Sequence, residues 1–78
     1  MTTPYLVTIA PTARRQIKTL PQKRQRLIVK FIEALAINPR PPGARKVDGM
    51  IGLYSEAIDG RRLVYKIEDQ TVLILLVK

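Results

Sequence analysis

Asp59-Gly60, set between the alternating runs Leu53–Ile58 and Arg61–Ile67, constrains this chain more than any other pair of its residues. The dipeptide accepts positive φ at both central positions of a two-residue type I′ turn, so it closes a β-hairpin. Pairing Ile58 with Arg61 then sets Ala57 opposite Arg62, Glu56 opposite Leu63, Ser55 opposite Val64 and Tyr54 opposite Tyr65. Because side chains alternate, Arg62, Val64 and Lys66 share one face with Ser55 and Leu53. Leu63, Tyr65 and Ile67 share the other with Tyr54 and Ile58, and this more apolar set is the expected core side.

The remaining segments attach to that hairpin. Tyr5-Leu-Val-Thr-Ile reads as a first strand. A short helix follows, with Thr12 as its expected N-cap, Ala13, Ile17 and Leu20 along one side and Arg14, Arg15 and Lys18 outside. Pro21 ends it, and a second helix from about Gln22 carries the stripe Leu27, Ile28, Phe31, Ile32, Leu35. Asn38-Pro-Arg-Pro-Pro-Gly43 cannot continue a helix, since three prolines remove amide donors and disfavour the α region for the residues before them. Ala44–Val47 is a candidate short strand, Glu68-Asp69-Gln70 a turn, and Thr71–Val77, apolar on both faces, an interior strand. The expected fold is therefore α+β: an N-terminal strand, a helical hairpin, then a mostly antiparallel three- to four-stranded sheet, all in one domain spanning 1–78.

Composition restricts the chemistry. There is no Cys and no His, which removes disulfides, thiolate and imidazole metal ligands and the usual imidazole base, so no metal or cofactor is expected. Fourteen Lys and Arg against six Asp and Glu give +8, the footprint of a chain that meets phosphate or an acidic protein. Seven of those cations fall between Arg14 and Lys30, with no acid among them. The apolar runs are too short to span a membrane, and Met1-Thr-Thr-Pro lacks the charged start of a secretory signal, so a cytoplasmic protein is expected. On the hairpin face that carries Arg62 and Lys66, with Lys46 joining from the adjoining strand, three cations would form a phosphate platform. That expectation requires Lys46 and Arg62 on one side of the sheet.

Across essentially its whole length the sequence resembles the RelE/ParE toxin superfamily of bacterial toxin–antitoxin systems. The likeness rests on the strand and Ala10-Pro-Thr-Ala13 helix start, on Leu35-Ala-Ile-Asn-Pro-Arg-Pro-Pro-Gly, on Lys46-Val-Asp-Gly, and on Leu53-Tyr-Ser through Arg62-Leu-Val-Tyr-Lys-Ile. It implies a RelE-like microbial ribonuclease-type fold and a cognate antitoxin, acidic or amphipathic, that wraps the toxin. In the favoured RelE/YoeB-like branch it also implies a ribosome-dependent mRNA endoribonuclease that inhibits translation by metal-independent attack of the RNA 2′-OH on the adjacent phosphorus.

Carried over residue by residue, Arg62 matches an active-site arginine of YoeB-like members and Lys46 a RelE-type lysine that activates the hydroxyl or binds phosphate. Arg45, Arg61 and Lys66 are candidates for RNA phosphate contacts, and Arg14, Arg15, Lys18, Lys23, Arg24 and Arg26 for ribosomal RNA. Plainer roles stand beside these: Arg61 pairing with Glu56, Lys46 as a solvated strand residue, and Tyr54 with Tyr65 as a cross-strand core pair. Asp48 and Ser55–Ile58 occupy positions where the family is usually cationic. Members also continue past the position of Lys78 into a Gly-His-Arg or similar run and a terminal Tyr, so a truncated form that cleaves mRNA poorly or not at all is expected. The alternatives are a ParE-like gyrase inhibitor and an inert toxin that binds only its antitoxin.

Overall fold

The computed structural model describes residues 4–78; the opening Met1-Thr-Thr, part of the segment read for a signal, lies outside them. The elements run β1 (Leu6–Ile9), α1 (Pro11–Lys18), α2 (Gln22–Leu35), β2 (Arg45–Lys46), β3 (Leu53–Ile58), β4 (Arg61–Glu68) and β5 (Thr71–Val77). The strands make a five-stranded sheet in the order β1-β5-β4-β3-β2, with β1 parallel to β5 and the other pairs antiparallel. The largely apolar β5 is an interior strand, as its composition predicts. Asp59 and Gly60 have φ of 52° and 76°, and the β3–β4 register is the predicted one from Ile58↔Arg61 to Tyr54↔Tyr65.

One face of the sheet is packed. Ala13 and Ile17 from α1, Leu20 just after it, and Ile28, Ile32 and Leu35 from α2 meet Leu63, Tyr65, Ile67, Val72, Ile74 and Val77 in a single core. Tyr54 and Tyr65 stack across the hairpin with ring centroids 6.0 Å apart and planes 17° from parallel. Leu27 departs from its expected place in the stripe: it is 46% exposed, and Phe31 is half-buried. The helical hairpin is narrower than its sequence stripe, because a turn of 100° per residue lets only Ile28, Ile32 and Leu35 point squarely at the sheet.

Thr12 is not the N-cap. Helix α1 starts one residue earlier, with extended Ala10 as cap and Pro11 in the first turn, and no side chain caps it. Proline's fixed φ suits that position and its missing N–H leaves no donor unsatisfied there. At the other end, Gln25 Nε2 donates to the Leu20 carbonyl at 2.8 Å, and Gln16 Oε1 accepts the Val77 N–H at 2.7 Å, which locks α1 to the end of β5.

The β2–β3 connection closes on Gly52, at φ 76°, whose carbonyl accepts the Ile67 N–H at 2.8 Å. A β-carbon at Gly52 would lie 2.7 Å from the Ile67 carbonyl oxygen. Gly52→Ala is therefore expected to cost at least ~1 kcal/mol, from backbone conformation and crowding together, measurable as a lower midpoint in urea denaturation.

Candidate active site

Among the described residues, the opposite sheet face carries no helix. At its β2–β3–β4 corner a cavity of about 400 Å³ is lined by Gly43, Arg45, Ser55, Glu56, Ala57 and Arg62. Strand pairing explains the grouping: Arg45 sits opposite Ser55, Ser55 opposite Val64, and Ala57 opposite Arg62, so these side chains rise from one face. Arg62 Nη1 donates to Ser55 Oγ at 3.2 Å. Ser55, only 7% exposed, is a buried polar residue at the cavity floor whose hydroxyl steadies one end of an otherwise exposed guanidinium. Arg62 and Lys78 exchange backbone hydrogen bonds of 3.0 and 2.9 Å, so Lys78 extends the Ala57–Arg62 row with a third cation.

Lys46 does not join them. It pairs with Tyr54 and so belongs to the row of Tyr54 and Tyr65, on the packed side, while Arg45 takes the place expected of it beside Arg62. The cause is a register of one residue. The six-residue connection from Val47 to Gly52 closes with the Val47 N–H on the Leu53 carbonyl at 2.9 Å, and a shift of one position exchanges the two faces of a strand. Lys46 instead borders a separate cavity with Val47, Asp48, Gly49, Met50, Ile51 and Gly52.

The other predicted cations also separate. Lys66 shares the open face but stands about 13 Å along β4 from Arg62, four residues at strand rise, and is held by Glu68 at 3.1 Å. Arg61 lies on the packed side beside Ile58 and does not pair with Glu56; Arg61 Nε and Glu56 Oε2 are both buried without a hydrogen-bond partner. Arg14, Arg15, Lys18, Lys23, Arg24 and Arg26 are all exposed on the helical hairpin. Lys23, Arg24 and Arg26 border a cavity of about 450 Å³ with Leu27 and Asp59, and Arg24 Nη1 meets Asp59 Oδ2 at 2.8 Å, tying α2 to the hairpin turn. Among the described residues no group of three or more His, Cys, Asp or Glu is placed to hold a metal.

The proline-rich loop aims Gly43 and Arg45 at the cavity. It is fastened from below: the buried Tyr65 hydroxyl donates to the Pro39 carbonyl at 3.0 Å, and Arg40 Nε donates to the Tyr54 hydroxyl at 3.1 Å with its guanidinium 5.5 Å from the ring centroid. Burial, with the Glu56 and Tyr54 charges adding to it, pushes the Tyr65 phenol up to about 12. Glu56 itself is raised above the ordinary carboxylate range by desolvation. Glycine at 43 makes room for that side chain, since a β-carbon there would strike Glu56 Oε1.

A chain of the RelBE2 toxin–antitoxin complex from Mycobacterium tuberculosis is 32% identical to this one, superposes with a TM-score of 0.83, and is matched over 96% of each chain. This chain belongs to the RelE toxin family. An archaeal RelE–RelB complex from Pyrococcus horikoshii is 25% identical over 99% of this chain and 94% of that one, with a TM-score of 0.86. The YoeB dimer of Staphylococcus aureus shares the fold at 23% identity, TM-score 0.77, over 96% and 95%. No protein-family model and no curated protein matches the sequence. The RelE fold is thus kept here on a chain whose open-face corner pairs two arginines with a neutral floor of Ser55 and Ala57. The hairpin register placed Ser55 on the face of Arg62, as found; sequence reasoning missed Gly43, Glu56 and Lys78 as neighbours of Arg62, and continuing the register onto β5 would have reached Lys78.

Proposed function

We propose that this RelE-family chain is the toxin of a toxin–antitoxin pair and cleaves mRNA on the ribosome, with a cognate antitoxin holding it in check. The observation that carries the reading is the convergence of Arg45 and Arg62 on one open cavity, with Arg62 braced by Ser55. A guanidinium binds phosphate oxygens through paired N–H groups and stays charged throughout a reaction. In this reading the ribose 2′-oxygen attacks the adjacent phosphorus in line, the bond to the 5′-oxygen breaks, and a 2′,3′-cyclic phosphate and a 5′-hydroxyl result. Arg62 and Arg45 stabilise the charge that develops on the equatorial phosphoryl oxygens, and the exposed cations of α1 and α2 supply attraction to ribosomal RNA.

Primer extension on mRNA from cells expressing the gene tests it. Codon-linked cuts are expected; DNA breaks trapped on gyrase in place of cuts would overturn it in favour of a ParE-like inhibitor. One observation favours a second reading: Ser55 and Ala57 are neutral where the family is usually cationic, which suits a toxin that binds antitoxin without cleaving. Absence of both cuts and breaks would select it. Arg45→Ala is expected to lower cleavage about 10²-fold, as removal of one preorganised charge does, whereas Lys46→Ala, on the other side of the sheet, leaves it near wild type. Quantified primer-extension stops for the two variants separate these outcomes.

A further inference from the structure

We propose that Glu56 is the general base of this site, taking the proton from the attacking 2′-hydroxyl of the RNA. The inference rests on the ribonuclease reading above. Of the six residues that line the cavity, two are glycine and alanine, two are arginines that do not give up a proton near neutral pH, and one is a serine whose hydroxyl serves Arg62. Glu56 alone can accept a proton.

Its position fits the task. Strand β2 begins at Arg45, opposite Ser55, so beyond Ser55 the strand carrying Glu56 has no paired strand on that side. Although its β-carbon starts on the packed side, its carboxylate lies against Gly43, which itself lines the cavity, in the space that any side chain at 43 would fill. No ion pair engages it among the described residues, and Oε2 is shielded without a hydrogen-bond partner. Arg45 on β2 and Arg62 on β4 line the same cavity, Arg61 and Tyr65 on β4 and Tyr54 on β3 share the Glu56 side of the sheet, with Arg40 of the proline loop on Tyr54; Tyr65 is the one that registers the Glu56 charge. Desolvation raises the Glu56 carboxyl, which makes it a stronger acceptor than a solvated glutamate.

The proton balance is simple. The 2′-hydroxyl gives its proton to a Glu56 oxygen as the new P–O2′ bond forms, the P–O5′ bond breaks, and the 5′-alkoxide takes a proton from water. Glu56 then returns its proton to solvent.

The test is single-turnover cleavage of mRNA on programmed ribosomes across a pH series, with wild type, Glu56→Gln and Gly43→Ala. Glu56→Gln is expected to lower the rate about 10²-fold and to abolish the wild-type rise of rate with pH on the acid side. Because the folded carboxyl is raised, its charge costs stability above the ordinary glutamate range, so the amide variant is expected to melt at the wild-type temperature or higher at neutral pH. Gly43→Ala, which keeps Glu56 but displaces its carboxylate, is expected to slow cleavage with the acid limb moved; it keeps the proposal testable if the amide variant fails to fold. A Glu56→Gln enzyme with wild-type rate and pH profile overturns the role of Glu56, and so does a Gly43→Ala enzyme with both unchanged where the amide variant does not fold. Absence of cleavage by wild type overturns the ribonuclease reading and this inference with it.

Discussion

Arg62→Ala is expected to lower mRNA cleavage by about 10²–10³-fold, the range for removing one preorganised donor from a charge-developing site. Little stability should go with it. The Arg62 side chain is exposed, its one side-chain hydrogen bond among the described residues goes to Ser55, and surface substitutions of this kind stay within about 0.5 kcal/mol. Arg62→Lys keeps the charge and loses the fork that grips two phosphate oxygens, so it is expected to recover only part of the rate. Cleavage assays paired with thermal melts check both: loss of rate without loss of melting temperature assigns Arg62 to RNA, and equal rates for wild type and Arg62→Ala exclude that assignment.

Tyr65→Ala is expected to destabilise the domain by about 3–5 kcal/mol, as truncation of a large buried aromatic does. A 78-residue domain has a total stability on the order of 4–12 kcal/mol, so this single change removes a large share of it. Tyr65 is fully buried, stacks on Tyr54, and holds the Pro39 carbonyl, so its loss frees the loop that carries Gly43 and Arg45. Tyr65→Phe keeps the ring and drops the hydrogen bond, leaving a buried carbonyl less well satisfied, for about 1–2 kcal/mol. Urea denaturation of both variants separates packing from hydrogen bonding. The phenol also sets an alkaline limit: raised from an ordinary value near 10 to about 12, it contributes stability that is present below pH ~10 and lost as pH climbs toward 12. Tyr65→Phe is expected to lose that part of the alkaline dependence.

Much of the architecture was legible residue by residue. The period-2 runs around Asp59-Gly60 dictated the hairpin and its register, Pro21 and the 39–42 prolines bounded the helices, and the two-faced apolarity of Thr71–Val77 marked an interior strand. The site was legible only in part. Arg62 and Arg45 were both named, yet Lys46 was assigned to their face, because its side depends on how the Val47–Gly52 connection closes and not on any local pattern. Arg61 and Glu56 looked like mates from strand parity, but parity fixes a face and not a distance, and both were left unpaired.

What the amino-acid order determined alone is the set of local elements and the pairing of β3 with β4, since a two-residue turn and strict alternation leave one register in which the apolar side chains meet a core. What only the tertiary structure decided is which cations share a cavity and where Glu56 rests. Those depend on a two-residue edge strand and a proline loop whose positions are fixed by distant anchors, Tyr65 on Pro39 and Ile67 on Gly52, and long-range contacts of that kind leave no periodicity in a sequence.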